Sequence, residues 1–121
     1  MTHSFEKLDV WQKSRVLVKD IYQATSSFPS EEKFGLTSQV RRAAISVSSN
    51  IAEGSVRWSQ KEKARFYEIS YGSLIEVLNQ LILANDLGFL KEDKLVTLRT
   101  EISSLIRMIS ALYNSTKSKL K

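Results

Sequence analysis

The chain has 121 residues, 42% hydrophobic and 26% charged, with a formal net charge of +5 and a pI near 9.6. That length fits one domain, and the composition is ordinary for a globular protein and too apolar for a disordered one. With no cysteine and a single histidine, His3, the chain has no disulfide or thiolate site and almost nothing from which to build a zinc centre, a Ser-His-Asp triad or a histidine base.

From the N-terminus, Met1 to Lys7 lacks the basic start and apolar run of a secretory signal. The longest uncharged stretches, such as Ala43 to Ala52, are about ten residues, whereas a membrane span needs roughly twenty. A soluble, cytoplasmic protein is expected, without cofactor, metal or small-molecule substrate.

The first helix is predicted over residues 5–27. Leu8, Trp11, Val18 and Tyr22 recur at helical spacing, with Val10, Leu17, Ile21 and Ala24 beside them. Phe28-Pro29-Ser30 ends it, because proline cannot continue a helix and drives the residue before it toward extended backbone. A second helix is predicted over 36–54, with Gly54 placed to terminate it in a left-handed conformation. Ser59 and Glu62 form a capping-box pattern that opens a third helix, 59–87, closed by Gly88. The fourth, 92–116, carries Leu95, Leu98, Ile102, Leu105, Ile109 and Leu112 at alternating steps of three and four. Short connections between long helices make neighbours antiparallel. The predicted fold is therefore all-α, an antiparallel up-down-up-down four-helix bundle occupying residues 1–121 as one domain.

Two helices lack the broad charged face of a surface helix. Between Ile69 and Asn85 the third carries one charge, Glu76, and between Ala43 and Ala52 the second carries none. Val40, Ala43, Ala44, Val47 and Ile51 fill one sector of the second helix; Ile45, Ala52 and Val56 lie on the far side. A second apolar sector points to contact with another copy of the protein.

Between these sectors runs a polar stripe of Gln39, Arg42, Ser46, Asn50 and Glu53, answered on the third helix by Ser73, Glu76 and Gln80. Gly72 beside it is read as a point of close backbone approach. With the turn centred near Arg57 and Trp58, Gln39 faces Glu76, Arg42 faces Ser73 and Glu53 faces Glu62. Arg42 and Glu76 then differ by about 4.5 Å of rise, close enough for a buried pair. Glu53 and Glu76 stand more than about 20 Å apart, too far for paired acid–base chemistry, and a di-iron centre would need histidines. The stripe is read as a structural network, and no catalytic residue is assigned.

The positive charge is localised. Residues 57–65 hold Arg57, Lys61, Lys63 and Arg65 against Glu62, a net of +3; Lys117, Lys119 and Lys121 add another +3. The rest of the chain sums to −1. This reading places the two clusters at opposite ends of the bundle. Trp58, among the cations, is suited to stacking on a base, and the pI favours a polyanionic partner, RNA or DNA. The alternative is a protein–protein scaffold whose charge is incidental.

Several motifs together carry a family resemblance over nearly the whole chain. They are Phe5 to Trp11 (FEKLDVW), Gly35 to Arg42 (GLTSQVRR), Ser46 to Gly54 (SVSSNIAEG), Gly72 to Glu76 (GSLIE) and Ala84 to Leu90 (ANDLGFL), followed by the Leu95–Leu112 seam. The chain resembles the bacterial four-helix-bundle family encoded within intervening sequences of large-subunit ribosomal RNA genes, often mislabelled as a ribosomal protein. The resemblance implies a homo-oligomeric ring, typically a pentamer, and no enzyme activity. That family is similar in fold to accessory proteins of diversity-generating retroelements, basic pentamers that bind nucleic acid and a reverse transcriptase. Tyr71, where the family pattern has a small residue such as alanine, is a departure.

Overall fold

The computed structural model describes residues 1–120. A 3-10 turn at Ser4–Lys7 leads into α1 (Asp9–Thr25), and a second at Ser30–Glu32 precedes α2 (Leu36–Ser55). Helices α3 (Gln60–Asp86) and α4 (Glu92–Lys117) follow. Each helix packs on its chain neighbour, α1 closes the ring against α4, and the diagonal pairs make no close backbone approach. The architecture is the all-α up-down-up-down bundle that the apolar spacing predicts.

Local chemistry sets the boundaries. Helix α1 starts four residues later than predicted. The Glu6 carboxylate accepts from the His3 amide at 2.7 Å, Gln12 Nε2 donates to the Glu6 carbonyl at 2.7 Å, and Leu8 is extended. At the start of α3, Ser59 Oγ accepts from the Glu62 amide at 3.1 Å, half of the predicted capping box. The Glu62 carboxylate lies instead 3.6 Å from Arg65 Nε. At the far end Gly88 takes φ +82°, with Phe89 N–H donating to Ala84 O at 2.9 Å and Gly88 N–H to Asn85 O at 3.0 Å. This is the left-handed glycine cap that satisfies the last carbonyls of a helix.

The core is a column of aliphatic side chains supplied by all four helices, among them Leu17, Ile21, Val40, Val47, Ile51, Leu74, Val77, Leu81, Ile102, Leu105 and Ile109. On α1 the buried line is Val10, Ser14, Leu17, Ile21 and Thr25. Tyr22, placed on the apolar face by spacing alone, is instead exposed, with the Arg41 guanidinium 4.4 Å from its ring centre. Buried hydroxyls find partners: Ser14 donates to Trp11 O, Thr25 to Ile21 O, and Ser70 across the helix pair to Val47 O at 2.8 Å. Each hydrogen bond offsets the cost of removing a hydroxyl from water.

Two glycines depart from the roles predicted for them. Gly54 lies inside α2 with ordinary helical backbone. A Cβ there would meet Tyr67 Cε1 at 2.7 Å and Phe66 Cβ at 3.0 Å, so its function is to admit α3. Gly72 is exposed, and a Cβ there would meet nothing within 4 Å. Gly54→Ala should therefore destabilise the fold by about 1–3 kcal/mol despite alanine's better helix propensity. Gly72→Ala should stabilise it by about 0.5–1 kcal/mol. Denaturant melts of both variants check this, and the opposite ranking contradicts it.

Candidate nucleic-acid interface

Four alternating helices return the chain to the end from which it started, so the α2–α3 connection and the C-terminus of α4 share one end of the bundle. The prediction of opposite ends is corrected by this parity. Lys61, Arg65 and Lys117 line one hollow with Glu68, Tyr113 and Leu120. Lys63 and Lys119 line a second with Ser55, Gln60, Thr116 and the N-terminal turn. The two clusters thus meet at one end of the bundle, in two hollows that each pair lysines more than fifty residues apart in sequence. Lys121, the last predicted contact, lies outside the described residues.

The cations on this surface differ in how they are held. Lys63 Nζ donates to the Ser55 carbonyl at 2.6 Å, neutralising the negative C-terminal end of α2, so it is partly structural. Arg57 lies 4.3 Å and Arg65 5.5 Å from the centre of the Phe66 ring. Arg65 also faces Glu62, an exposed pair of small energetic value. Lys117 lies 5.9 Å from the centre of Tyr113. Trp58 is fully exposed. An indole left in water beside cations has no role in packing and presents a flat apolar face to whatever the cations attract.

The polar stripe divides into two parts. Ser46 Oγ and Ser73 Oγ are 2.8 Å apart, and Asn50 Nδ2 donates to both the carbonyl and the hydroxyl of Ser46. Gln39, Arg42, Glu53 and Glu76 are exposed. The predicted buried Arg42–Glu76 pair is not formed: among the described residues the one ion pair is Glu62–Arg65. Ser46, not Arg42, stands opposite Ser73, a displacement of one helical turn that brings Arg42 to nearly the height of Glu76. The two side chains nonetheless lie exposed on the rim of an open cleft with Gln39, where water solvates both charges and an ion pair gains little. Gln80 is buried; its Nε2 donates to Glu76 at 3.2 Å while its Oε1 has no partner. The predicted oligomer contacts stay on the outside of α2, Ile45 41% and Val56 55% exposed, with Ala52 between them half-buried.

Two features were not read from sequence. Arg41, next to the residue chosen for the stripe, donates from Nε to Thr25 Oγ1 at 2.8 Å and fastens α2 to the end of α1. Between α1 and α4, Glu101 meets Asp20. Burial first, then the hydrogen bond and charge of Asp20, push the Glu101 carboxyl up to about 7, with Lys13 pulling it down. In the unfolded chain it titrates near 4.5. Between those values the folded protein keeps a proton that the unfolded chain has lost, so stability falls as pH rises through this window. Solvent screening of this partly exposed group leaves an effect of about 1 kcal/mol. Glu101→Gln should therefore melt higher than wild type above about pH 7 and match it more closely below about pH 4.5. A difference in melting temperature that is independent of pH contradicts this.

Among the described residues no helix is long and apolar enough to cross a membrane. The model of the 23S rRNA-intervening sequence protein family matches residues 6–111. No curated protein matches the chain. A solved protein of unknown function from the S23 ribosomal protein family of Bacteroides thetaiotaomicron has the same fold. Its TM-score is 0.77 at 16% identity, over 86% of this chain and 97% of that one. The family match spans both helices that frame the basic end and most of α4, and the chain belongs to the 23S rRNA-intervening sequence protein family.

Proposed function

We propose that this chain is a non-catalytic, homo-oligomeric protein that binds RNA or DNA electrostatically through the basic end of its bundle. The observation that carries this reading is the gathering at one end of the bundle of Lys61 and Arg65 with Lys117 in one hollow and of Lys63 with Lys119 in another, with Trp58 exposed at the same end. Cations gathered on one surface engage successive phosphates of a polyanion and release its condensed counterions. Self-association is supported by the outer apolar residues, Ile45 on α2, Val56 just past its end, and Ile69, Ile75 and Leu83 on α3, each 39–55% exposed. The family resemblance implies a ring, typically a pentamer. Such a ring repeats the basic end and multiplies weak contacts by multivalency.

Binding should weaken linearly in log affinity against log salt, with a slope of about −0.7 to −0.9 per phosphate contact. Lys61→Gln combined with Lys117→Gln should make that slope shallower by about 1–2, equally across unrelated sequences. Lys63 is unsuitable for this test because its loss also uncaps α2. Light scattering on the same samples should give a mass that is a multiple of 13.8 kDa, reduced by Ile45→Glu. Failure of the folded oligomer to retain any nucleic acid at about 50 mM salt overturns the reading and leaves a protein–protein scaffold.

A further inference from the structure

Beside the basic hollow, between α3 and α4, lies a second groove, walled by Tyr71 and Tyr113 and floored by Tyr67 and Ile109. The sequence places these rings there by simple spacing: Tyr67 and Tyr71 are one turn apart on α3, and Ile109 and Tyr113 one turn apart on α4. Tyr67 is buried, while Tyr71 is 39% exposed, the residue that departs from the small one in the family pattern. The groove is about 270 Å³, just below the range of about 300–1,000 Å³ usual for drug-sized ligands, and so has room for one planar ring system. Ser110, Asn114 and Glu68 supply hydrogen-bonding groups along its edge.

The groove and the basic hollow are continuous, since Glu68 and Tyr113 line both. Lys117 stands over the Tyr113 ring, 5.9 Å from its centre, with Lys61 and Arg65 beyond it. A groove lined by three tyrosines and adjoining three cations matches one chemical unit: a planar base joined through a sugar to a phosphate. Duplex nucleic acid cannot offer that unit without unstacking a base. A single strand offers it freely, and base–aromatic stacking then adds to the phosphate contacts. Glu68 sits at the junction, where a carboxylate repels phosphate but accepts from the amino or imino edge of a base.

We infer that the α3–α4 groove seats an unpaired base of a single-stranded nucleic acid, stacked between Tyr71 and Tyr113, with its phosphate on Lys117, Arg65 and Lys61. This inference rests on the function proposed above and sharpens it to single strands.

The test is fluorescence anisotropy of the full-length protein with a short labelled single-stranded RNA and with a duplex of the same sequence. Tyr113→Leu fills space without offering a ring face, and Tyr71→Ala removes one wall. Each should weaken single-strand binding by about tenfold, while duplex affinity and salt slope stay as in wild type. Tyr113→Phe keeps the ring and should bind as wild type does. Circular dichroism melts verify folding, and light scattering verifies the mass of each variant. Equal losses on single strand and duplex, or no loss on either, overturn the groove assignment while leaving electrostatic binding intact. A change in oligomer mass with Tyr113→Leu or Tyr71→Ala overturns it in favour of a contact between copies. If wild type retains neither nucleic acid, the broader function falls and the groove assignment with it.

Discussion

The structure depends first on how closely α2 and α3 approach. Gly54 lies under the Tyr67 ring, where a single methyl group would collide with it and with the Phe66 Cβ. Ser70 donates to the Val47 carbonyl, and Ser46 and Ser73 share a hydrogen bond across the same interface. Small side chains and a satisfied hydroxyl permit that approach, and a packed interior leaves it little latitude. Once this pair is fixed, the register of the α2–α3 connection follows, and with it the position of every cation between Arg57 and Arg65.

Topology supplies the rest of the basic end. In a bundle of four alternating helices, the second connection and the C-terminus come to the same end. Lys117 and Lys119 therefore join Lys61, Lys63 and Arg65 through parity alone. Like charges so gathered repel one another, and the fold tolerates them because they sit at the solvated end. Lys63 is held by a helix carbonyl, and Arg57, Arg65 and Lys117 lie against aromatic rings. The aromatic partners include Tyr113, which also walls the α3–α4 groove, so charge and stacking surface are built from the same residues.

Helices and core were legible in the sequence because apolar periodicity is a local signal. The α4 seam from Leu95 to Ile109 is buried as its alternating steps require, and Gly88 caps α3 as its position implied. Contacts between helices were harder to read. A glycine's role depends on what faces it, which periodicity does not report, so the close approach assigned to Gly72 belongs to Gly54 and Gly72 has no such role. A register counted from the turn missed by one helical turn, enough to replace Arg42 with Ser46 opposite Ser73, and Arg42 and Glu76 stay unpaired because both lie on a solvated rim, an exposure that spacing along one helix does not report. The tyrosine groove joins residues about forty apart in sequence and becomes visible only when α3 and α4 are placed side by side. Family membership, shown over residues 6–111, supports the fold and says nothing of that groove.

The central claim is that the two charged segments act as a single nucleic-acid surface. Acetylation footprinting by mass spectrometry, with and without a saturating single-stranded oligonucleotide at low salt, reads every lysine of the intact protein at once. The account predicts joint protection of Lys61, Lys117 and Lys119, with Lys33, Lys91 and Lys94 at the opposite end of the bundle remaining as reactive as in the free protein. Protection of one segment without the other, or of the opposite end instead, would contradict it.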